Sequence, residues 1–182
     1  RMGVNESLKK YRSMRNFRVT PEPSGREKQV QKRGGKPIFV VQKHRASHLH
    51  YDFRIEIDGL LKSWAVPKGP SLDPKTKRLA MPTEDHPLQY SEFEGTIPEG
   101  EYGAGTMIVW DRGTYENLLP DSLAESLDRG HLKIRLDGEK LRGAFSLRRM
   151  PARGERLSWL LVKIKDEHAT AAKDILAASP ES

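Results

Sequence analysis

Between His48 and Ile57 polar and apolar residues alternate: His48, His50, Asp52, Arg54 and Glu56 take one set of positions, and Leu49, Tyr51, Phe53, Ile55 and Ile57 take the other. Successive side chains of a strand point to opposite faces, so this pattern fits an extended strand with one apolar and one polar face. Shorter runs rich in β-branched and aromatic residues occur at Ile38–Val41, Leu60–Val66, Arg78–Met81, Met107–Arg112, Tyr115–Leu118, His131–Leu136, Arg142–Arg149 and Trp159–Ile164. Asp58-Gly59, the Pro67–Pro74 loop and further Gly and Pro turns separate them. Short strands at this spacing predict a mainly β domain, a barrel or a sandwich. Helix is confined to short stretches around Ser7–Met14, at Ser122–Asp128, where Pro120-Asp121 starts it and Gly130 stops it, and at Ala169–Ala178.

A chain of 182 residues buries about 70% of its unfolded surface without staples. Cysteine is absent, which excludes disulfide frameworks, thiolate zinc sites and cysteine nucleophiles; any metal must be held by His, Asp or Glu. No apolar run approaches the roughly 20 residues of a membrane span, and no basic-then-apolar leader opens the chain, so neither membrane insertion nor classical secretion is expected. The net charge of +7 is unevenly placed. Residues 1–45 carry 13 Lys and Arg against 3 Asp and Glu, a net of +10, which leaves 19 basic and 22 acidic residues and a net of −3 for the remainder. Residues 1–36, broken by Pro21, Pro23, Gly25, Gly34 and Gly35, read as an extended basic arm that Tyr11, Phe17 and Val19 could pin to a body. Such an arm suits a polyphosphate partner, because counterion release favours clustered cations.

The polar positions of the Leu49–Ile57 strand carry two imidazoles beside a carboxylate, an unusual composition for a face that merely meets solvent. Imidazole and carboxylate suit Zn²⁺ or Mn²⁺, and a three-ligand set leaves positions open for water and substrate. His50 and Asp52 supply two donors, and His44 or His48 a third. Arg54, one step along, brings a guanidinium able to fork onto a phosphate. A second cluster, Arg78 to Tyr90, places His86 between Glu84-Asp85 and Pro87; taken alone, Glu84–His86 reads as a turn. The glycines at 95, 100, 103 and 105 match no phosphate-loop spacing and read as a turn between strands. Asp58-Gly59 and Asp137-Gly138 lack the lysine two residues upstream that a nucleotidyl-transferase nucleophile motif needs, since positions 56 and 135 are Glu and Arg.

A series of blocks in order carries a resemblance from about Tyr11 to Lys165: Phe17-Arg18, Thr20-Pro-Glu-Pro-Ser-Gly25, Val41-Gln-Lys-His44, Leu49-His-Tyr-Asp-Phe-Arg54, Leu61-Lys-Ser-Trp-Ala-Val-Pro-Lys-Gly-Pro70, Glu84-Asp-His-Pro-Leu88, Phe93-Glu-Gly95, Ile97-Pro98, Tyr102-Gly-Ala-Gly105 and Val109-Trp-Asp-Arg-Gly113. The chain resembles the 3′-phosphoesterase domain of bacterial ligase D, of the non-homologous end-joining system. The resemblance implies a compact, closed or nearly closed β-barrel with a few short flanking helices, spanning 37–168 between the arm and a C-terminal tail at 169–182.

It further implies that His44, His50 and Asp52 hold the metal, manganese first and zinc or cobalt as alternatives, with His48 outside the ligand set. Arg54, Arg78 and His86 would engage the phosphate, Glu84 and Tyr90 would support the site, and Arg15 and Glu22 would reach in from the arm. Asn16 departs from the family pattern, which leads us to expect an acidic residue there. The implied activity is removal of a 3′-terminal ribonucleoside and then of the 3′-phosphate from DNA or RNA-tipped DNA ends at primer–template junctions. The implied partners are polymerase, ligase and Ku-type end-joining proteins, in a cytoplasmic, nucleoid-associated setting. Two other classes fit parts of the pattern. A non-catalytic DNA-end-binding module would use the arm without metal geometry, and a cupin-like metal enzyme for small molecules would use the His/His/acid set without Arg54, Arg78 and the arm.

Overall fold

A computed structural model describes residues 3–28, 35–171 and 175–178. Nine strands follow one another: β1 (Ile38–Arg45), β2 (Leu49–Ile57), β3 (Leu60–Val66), β4 (Arg78–Pro87), β5 (Gly95–Ile97), β6 (Gly105–Asn117), β7 (His131–Gly138), β8 (Arg142–Arg149) and β9 (Trp159–Lys163). All pairings are antiparallel, in the order β1-β2-β3-β4-β9-β8-β7-β6, and β1 pairs with β6 to close the ring into the expected barrel. β5 lies outside the ring on an edge of β6. Asp58 (φ 53) and Gly59 (φ 80) are both left-handed. They form the two-residue hairpin that Asp-Gly favours, and so fix the β2–β3 register at Ile57 opposite Leu60.

Alternate residues of the eight ring strands fill the interior: Phe39, Val41, Phe53, Ile55, Trp64, Trp110, Tyr115, Ile134, Phe145, Leu147, Trp159 and Leu161 among them. A second, smaller core lies against the outer face, where Leu8 and Tyr11 of the N-terminal segment pack with Leu61, Tyr90, Phe93, Ile97 and Met107. Burying a side chain of that size contributes about 1.5–3 kcal/mol, so the segment is held to the barrel by packing. α1 (Val4–Ser7) and α2 (Lys9–Ser13) form there, α3 (Leu123–Arg129) joins β6 to β7, and α4 (Ile175–Ala178) lies near the C-terminus. α3 starts with Ser122 accepting from the Glu125 amide at 3.2 Å and ends on left-handed Gly130 (φ 77).

Four expectations need correction. Met107–Arg112 and Tyr115–Leu118 are one 13-residue strand, β6. Gly113 lies inside it because β7 approaches so closely that a Cβ there would sit 2.0 Å from the Asp137 carbonyl oxygen. Glu84–His86 is not a turn but the far end of β4, carried past a register shift opposite Leu61 and Ser63. β9 pairs only with Arg78–Ala80, so Pro82 and Pro87 sit where β4 has one unpaired edge and their missing N–H costs little. Part of the glycine segment, Gly95–Ile97, is the short strand β5 rather than turn. The C-terminal helix is described only at Ile175–Ala178, with 169–171 non-helical. Residues 172–174 and 179–182 of that tail, and 1–2 and 29–34 of the arm, lie outside the described residues.

Candidate metal centre

β1 runs through His44, beyond the expected end at Val41, and register then does the placing. Antiparallel partners share a face, and His44 stands opposite His50, Gln42 opposite Asp52 and Val40 opposite Arg54. This is the outward face of the barrel wall, but it meets solvent only at its His50 end: Asp52, Arg54 and Glu56 are buried, as are Gln42 and His44. The N-terminal segment and the 3₁₀ turn Leu88–Glu92 cover it. The expected polar face is therefore a buried polar layer between barrel and arm.

His44 Nδ1 and His50 Nε2 face each other at 3.2 Å, with Asp52 Oδ1 3.3 Å from His50 Nε2 and Asp52 Oδ2 3.6 Å from His44 Nδ1. The outer nitrogens meet backbone carbonyls: His44 Nε2 lies 2.7 Å from Gly103 O, and His50 Nδ1 lies 3.3 Å from His48 O. A proton on each outer nitrogen satisfies those carbonyls and leaves two lone pairs and a carboxylate converging on one point. A shared cation relieves that arrangement, so the donor set fits a divalent metal. Of the two candidates for the third ligand, His44 is in the group; His48 sits exposed in the β1–β2 turn and contributes its carbonyl. Burial alone would raise the Asp52 carboxyl, but Arg54 and the two imidazoles outweigh it and hold Asp52 well below the usual carboxylate range. Asp52 would accept a hydrogen bond from a further proton on His50 Nε2 and so lifts His50 above an ordinary imidazole, against the effect of burial.

Arg54 is positioned on three sides. Its Nε donates to Gln42 Oε1 at 2.7 Å, its Nη2 lies 3.3 Å from Asp52 Oδ2, and its guanidinium lies 4.8 Å from the centroid of the Tyr90 ring. Gln42, fully buried, in turn donates to Tyr90 O and Phe93 O at 2.7 and 3.1 Å. His86 is within 3.2 Å of Arg54 Nη1, and its Nδ1 meets Glu84 O at 2.8 Å, the shorter contact and the one that takes the proton. Burial first, then the Arg54 and Arg15 guanidiniums, push the His86 imidazole well below its ordinary value, so it is neutral here.

From the arm, Arg15 Nε donates to Glu22 Oε2 at 3.0 Å, and Tyr90 OH donates to the same oxygen at 2.5 Å. Thr20 Oγ1 donates to Glu22 Oε1 at 2.8 Å, and Arg15 Nη1 lies 3.6 Å from Glu84 Oε2. Burial, despite Arg54, raises the Tyr90 phenol well above its ordinary value and keeps its proton on. Asn16 accepts from the Arg18 amide at 3.1 Å and so shapes the bend between Arg15 and Glu22.

The structure thus brings together His44, His50, Asp52, Arg54, Glu84, His86, Tyr90, Arg15 and Glu22. Arg78 is apart from them: half-buried at the start of β4, it makes no hydrogen bond or ion pair with any of the nine, and its Nε is buried without a partner. Gln42 and the Gly103 carbonyl were not anticipated. Alternation along β1 does put Gln42 on the His44 face, but the carbonyl has no signal in the sequence.

A sequence model of the DNA ligase D 3′-phosphoesterase domain matches residues 42–149, a span that opens at Gln42 and includes the ligand group, Arg54 and His86. The chain is 53% identical over its whole length to the multifunctional non-homologous end joining protein LigD of Pseudomonas aeruginosa, of which it covers 21%. It is 42% identical over 94% of its length to LigD of Mycolicibacterium smegmatis, covering 22% of that protein. Against the multifunctional non-homologous end joining DNA repair protein LigD of Mycobacterium tuberculosis the figures are 43%, 90% and 20%. The chain therefore spans about a fifth of the length of these curated relatives. With a closed barrel, a convergent His/His/Asp group and this match across more than half its residues, the chain belongs to the DNA ligase D 3′-phosphoesterase domain family.

Proposed function

We propose that this chain is a metal-dependent phosphoesterase that heals DNA 3′ ends, removing a terminal ribonucleoside and then the 3′-phosphate to leave a 3′-hydroxyl for repair synthesis and ligation. The observation that carries the reading is the convergence of His44, His50 and Asp52 on one point with the Arg54 guanidinium against Asp52. A divalent cation held there, Mn²⁺ by the hard-and-borderline donor set, would polarise a phosphoryl oxygen and neutralise its charge. Zinc and cobalt suit the same donors.

Arg54 offers Nη1 and Nη2 on the side facing His86 and Asp52, and its Nε is already committed to Gln42, so the fork that remains can take two phosphate oxygens without searching. Arg15, fixed by Glu22 and backed by Tyr11 at 4.0 Å, adds a second cation from the arm. His86 is neutral with two guanidiniums beside it; a bound phosphate dianion offsets them and raises its proton affinity, which suits it to serve as donor to the leaving 3′ oxygen. Tyr90 keeps its proton and so is a hydrogen-bond donor, with Glu22 as its present acceptor. Removing the phosphomonoester makes the heavier demand on such donors, because the dianion adds charge. Arg78 is assigned to substrate rather than to the cluster.

Its relatives are named for non-homologous end joining. On that ground we extend the proposal to primer–template ends as substrate, to polymerase, ligase and Ku-type proteins as partners, and to a nucleoid-associated setting. The test is a primer–template ending in one 3′ ribonucleotide, incubated with and without Mn²⁺ and resolved by end chemistry. Metal-dependent appearance of 3′-phosphate and then 3′-hydroxyl ends supports the proposal. End binding without metal-dependent release would reduce the chain to a binding module.

A further inference from the structure

Four of the five tyrosines are at most 5% exposed; Tyr102 is 47% exposed and is the one aromatic among the exposed large hydrophobic side chains of the described residues. It stands at the rim of the metal centre, on the loop between β5 and β6. The loop is stiff for its length: Glu101 N bonds Pro98 O and Ala104 N bonds Glu101 O, at 3.2 and 3.1 Å. Gly105, at φ 137, lies so close to β1 that a Cβ would sit 2.0 Å from Arg45 O. The residue after Tyr102 supplies the carbonyl that fixes His44 at 2.7 Å, so the ring is tied by one peptide to a proposed metal ligand. The Arg15 guanidinium lies 5.3 Å from the ring centroid.

A large ring held by a stiff loop at the mouth of a charged, otherwise covered centre offers a flat face to whatever enters there. The ring carries a cation at one side and remains accessible elsewhere, and the chemistry proposed for the centre brings a nucleotide to its rim. We propose that Tyr102 is a stacking platform for the 3′-terminal base, an assignment that rests on the 3′-end phosphoesterase reading. Every base presents a π-face, so the platform positions an end without reading its sequence. The role belongs to the ring and not to the hydroxyl.

The probe is a primer–template with 2-aminopurine as its 3′-terminal base, mixed with metal-loaded protein and read by fluorescence in the first instant, before turnover. Wild type and Tyr102→Phe should quench the probe on binding. Tyr102→Ala should not, and should bind about tenfold more weakly. On an end whose terminal base is removed, wild type and Tyr102→Ala should bind alike. Equal quenching by Tyr102→Ala, failure of Tyr102→Phe to match wild type, or an unchanged penalty of Tyr102→Ala on the abasic end would each overturn the platform. Ribonucleoside release by wild type, measured alongside, separates the two ideas: release with a failed platform overturns only Tyr102's role, whereas absence of both binding and release overturns the functional reading with it.

Discussion

Glu22 should control whether the arm stays closed over the centre. Its carboxylate is inaccessible to solvent, with Oε2 receiving Tyr90 OH at 2.5 Å and Arg15 Nε at 3.0 Å, and Oε1 receiving Thr20 Oγ1 at 2.8 Å. Glu22→Gln keeps the shape. The amide carbonyl can still face Tyr90 and Arg15 while its NH₂ turns to Thr20, whose hydroxyl can accept. What is lost is the anion: the Tyr90 bond falls from about 1.5–3 kcal/mol to about 0.5–1.5 kcal/mol, while the buried Arg15 guanidinium keeps a bond to the carbonyl but loses its counter-charge, at a further cost of about 1 kcal/mol. The sum is about 2 kcal/mol, or about a 30-fold shift toward the open arm. Trypsin reads this directly at Arg15, whose side chain is 4% exposed and which must leave the barrel to be cut. Where opening is fast relative to cleavage, the rate tracks the open population. Cleavage after Arg15, followed by mass spectrometry, should therefore accelerate about 30-fold in Glu22→Gln. A rate indistinguishable from wild type would mean that these bonds do not hold the arm.

Three further outcomes follow from the same geometry. Arg54→Lys should lower turnover about 100-fold or more, because an ammonium cannot bond Gln42, meet Asp52 and fork onto a phosphate together; equal rates would refute the assignment. His86 has its folded pKa depressed by burial and two guanidiniums, whereas an unfolded imidazole titrates near about 6.5. Below that value the unfolded chain takes up a proton that the folded one refuses, so this residue's contribution is intact above about pH 6.5 and is lost as pH falls. Urea midpoints at a series of pH values should accordingly show a smaller acid loss for His86→Gln than for wild type, and parallel curves would contradict it. Replacing exposed Lys9, Lys10, Arg18, Arg26 and Lys28 by Gln should flatten the salt dependence of duplex binding by about 0.9 in logarithmic slope for each cation that touches a phosphate. An unchanged slope would leave the arm's exposed charge merely solvated. Substitution is preferable to deletion here, since removing Leu8 and Tyr11 would strip the second core.

The barrel was legible because its signals are local. Alternation set β2, Asp58-Gly59 set its hairpin, and Ser122 with Gly130 set α3. Alternation also put His50, Asp52 and Arg54 on one face. It could not say that the face would be covered, because the covering residues, Leu8 and Tyr11, come from a polar segment with no strand or long helix period. The choice between His44 and His48 was equally closed to periodicity: both sit at even spacing from His50, and only the length of β1 and the turn after Arg45 decide it. The turn expected at Glu84–His86 failed for the opposite reason, since Asp and Pro are strong turn formers locally and the pairing of β3 with β4 overrides them. Asp111 shows what a sequence hides altogether. Buried within β6, it accepts from the amides of Arg112, Glu139, Lys140 and Leu141 at 2.8–3.2 Å and ties down the β7–β8 turn, a structural task that its family block does not announce.

The proposed chemistry stands or falls on His44, His50 and Asp52 acting as one metal site. Titration of chelator-stripped protein with Mn²⁺, by the electron paramagnetic resonance of the free ion, tests it most directly when ribonucleoside release is followed in the same samples. His50 is the residue to change, because its side chain is 24% exposed and its loss leaves both cores untouched. Wild type should show a single tight site, and His50→Ala should lose that site together with release, with an unchanged circular dichroism spectrum. His50→Ala that still binds Mn²⁺ tightly, or that releases ribonucleoside at the wild-type rate in stripped buffer, would contradict it.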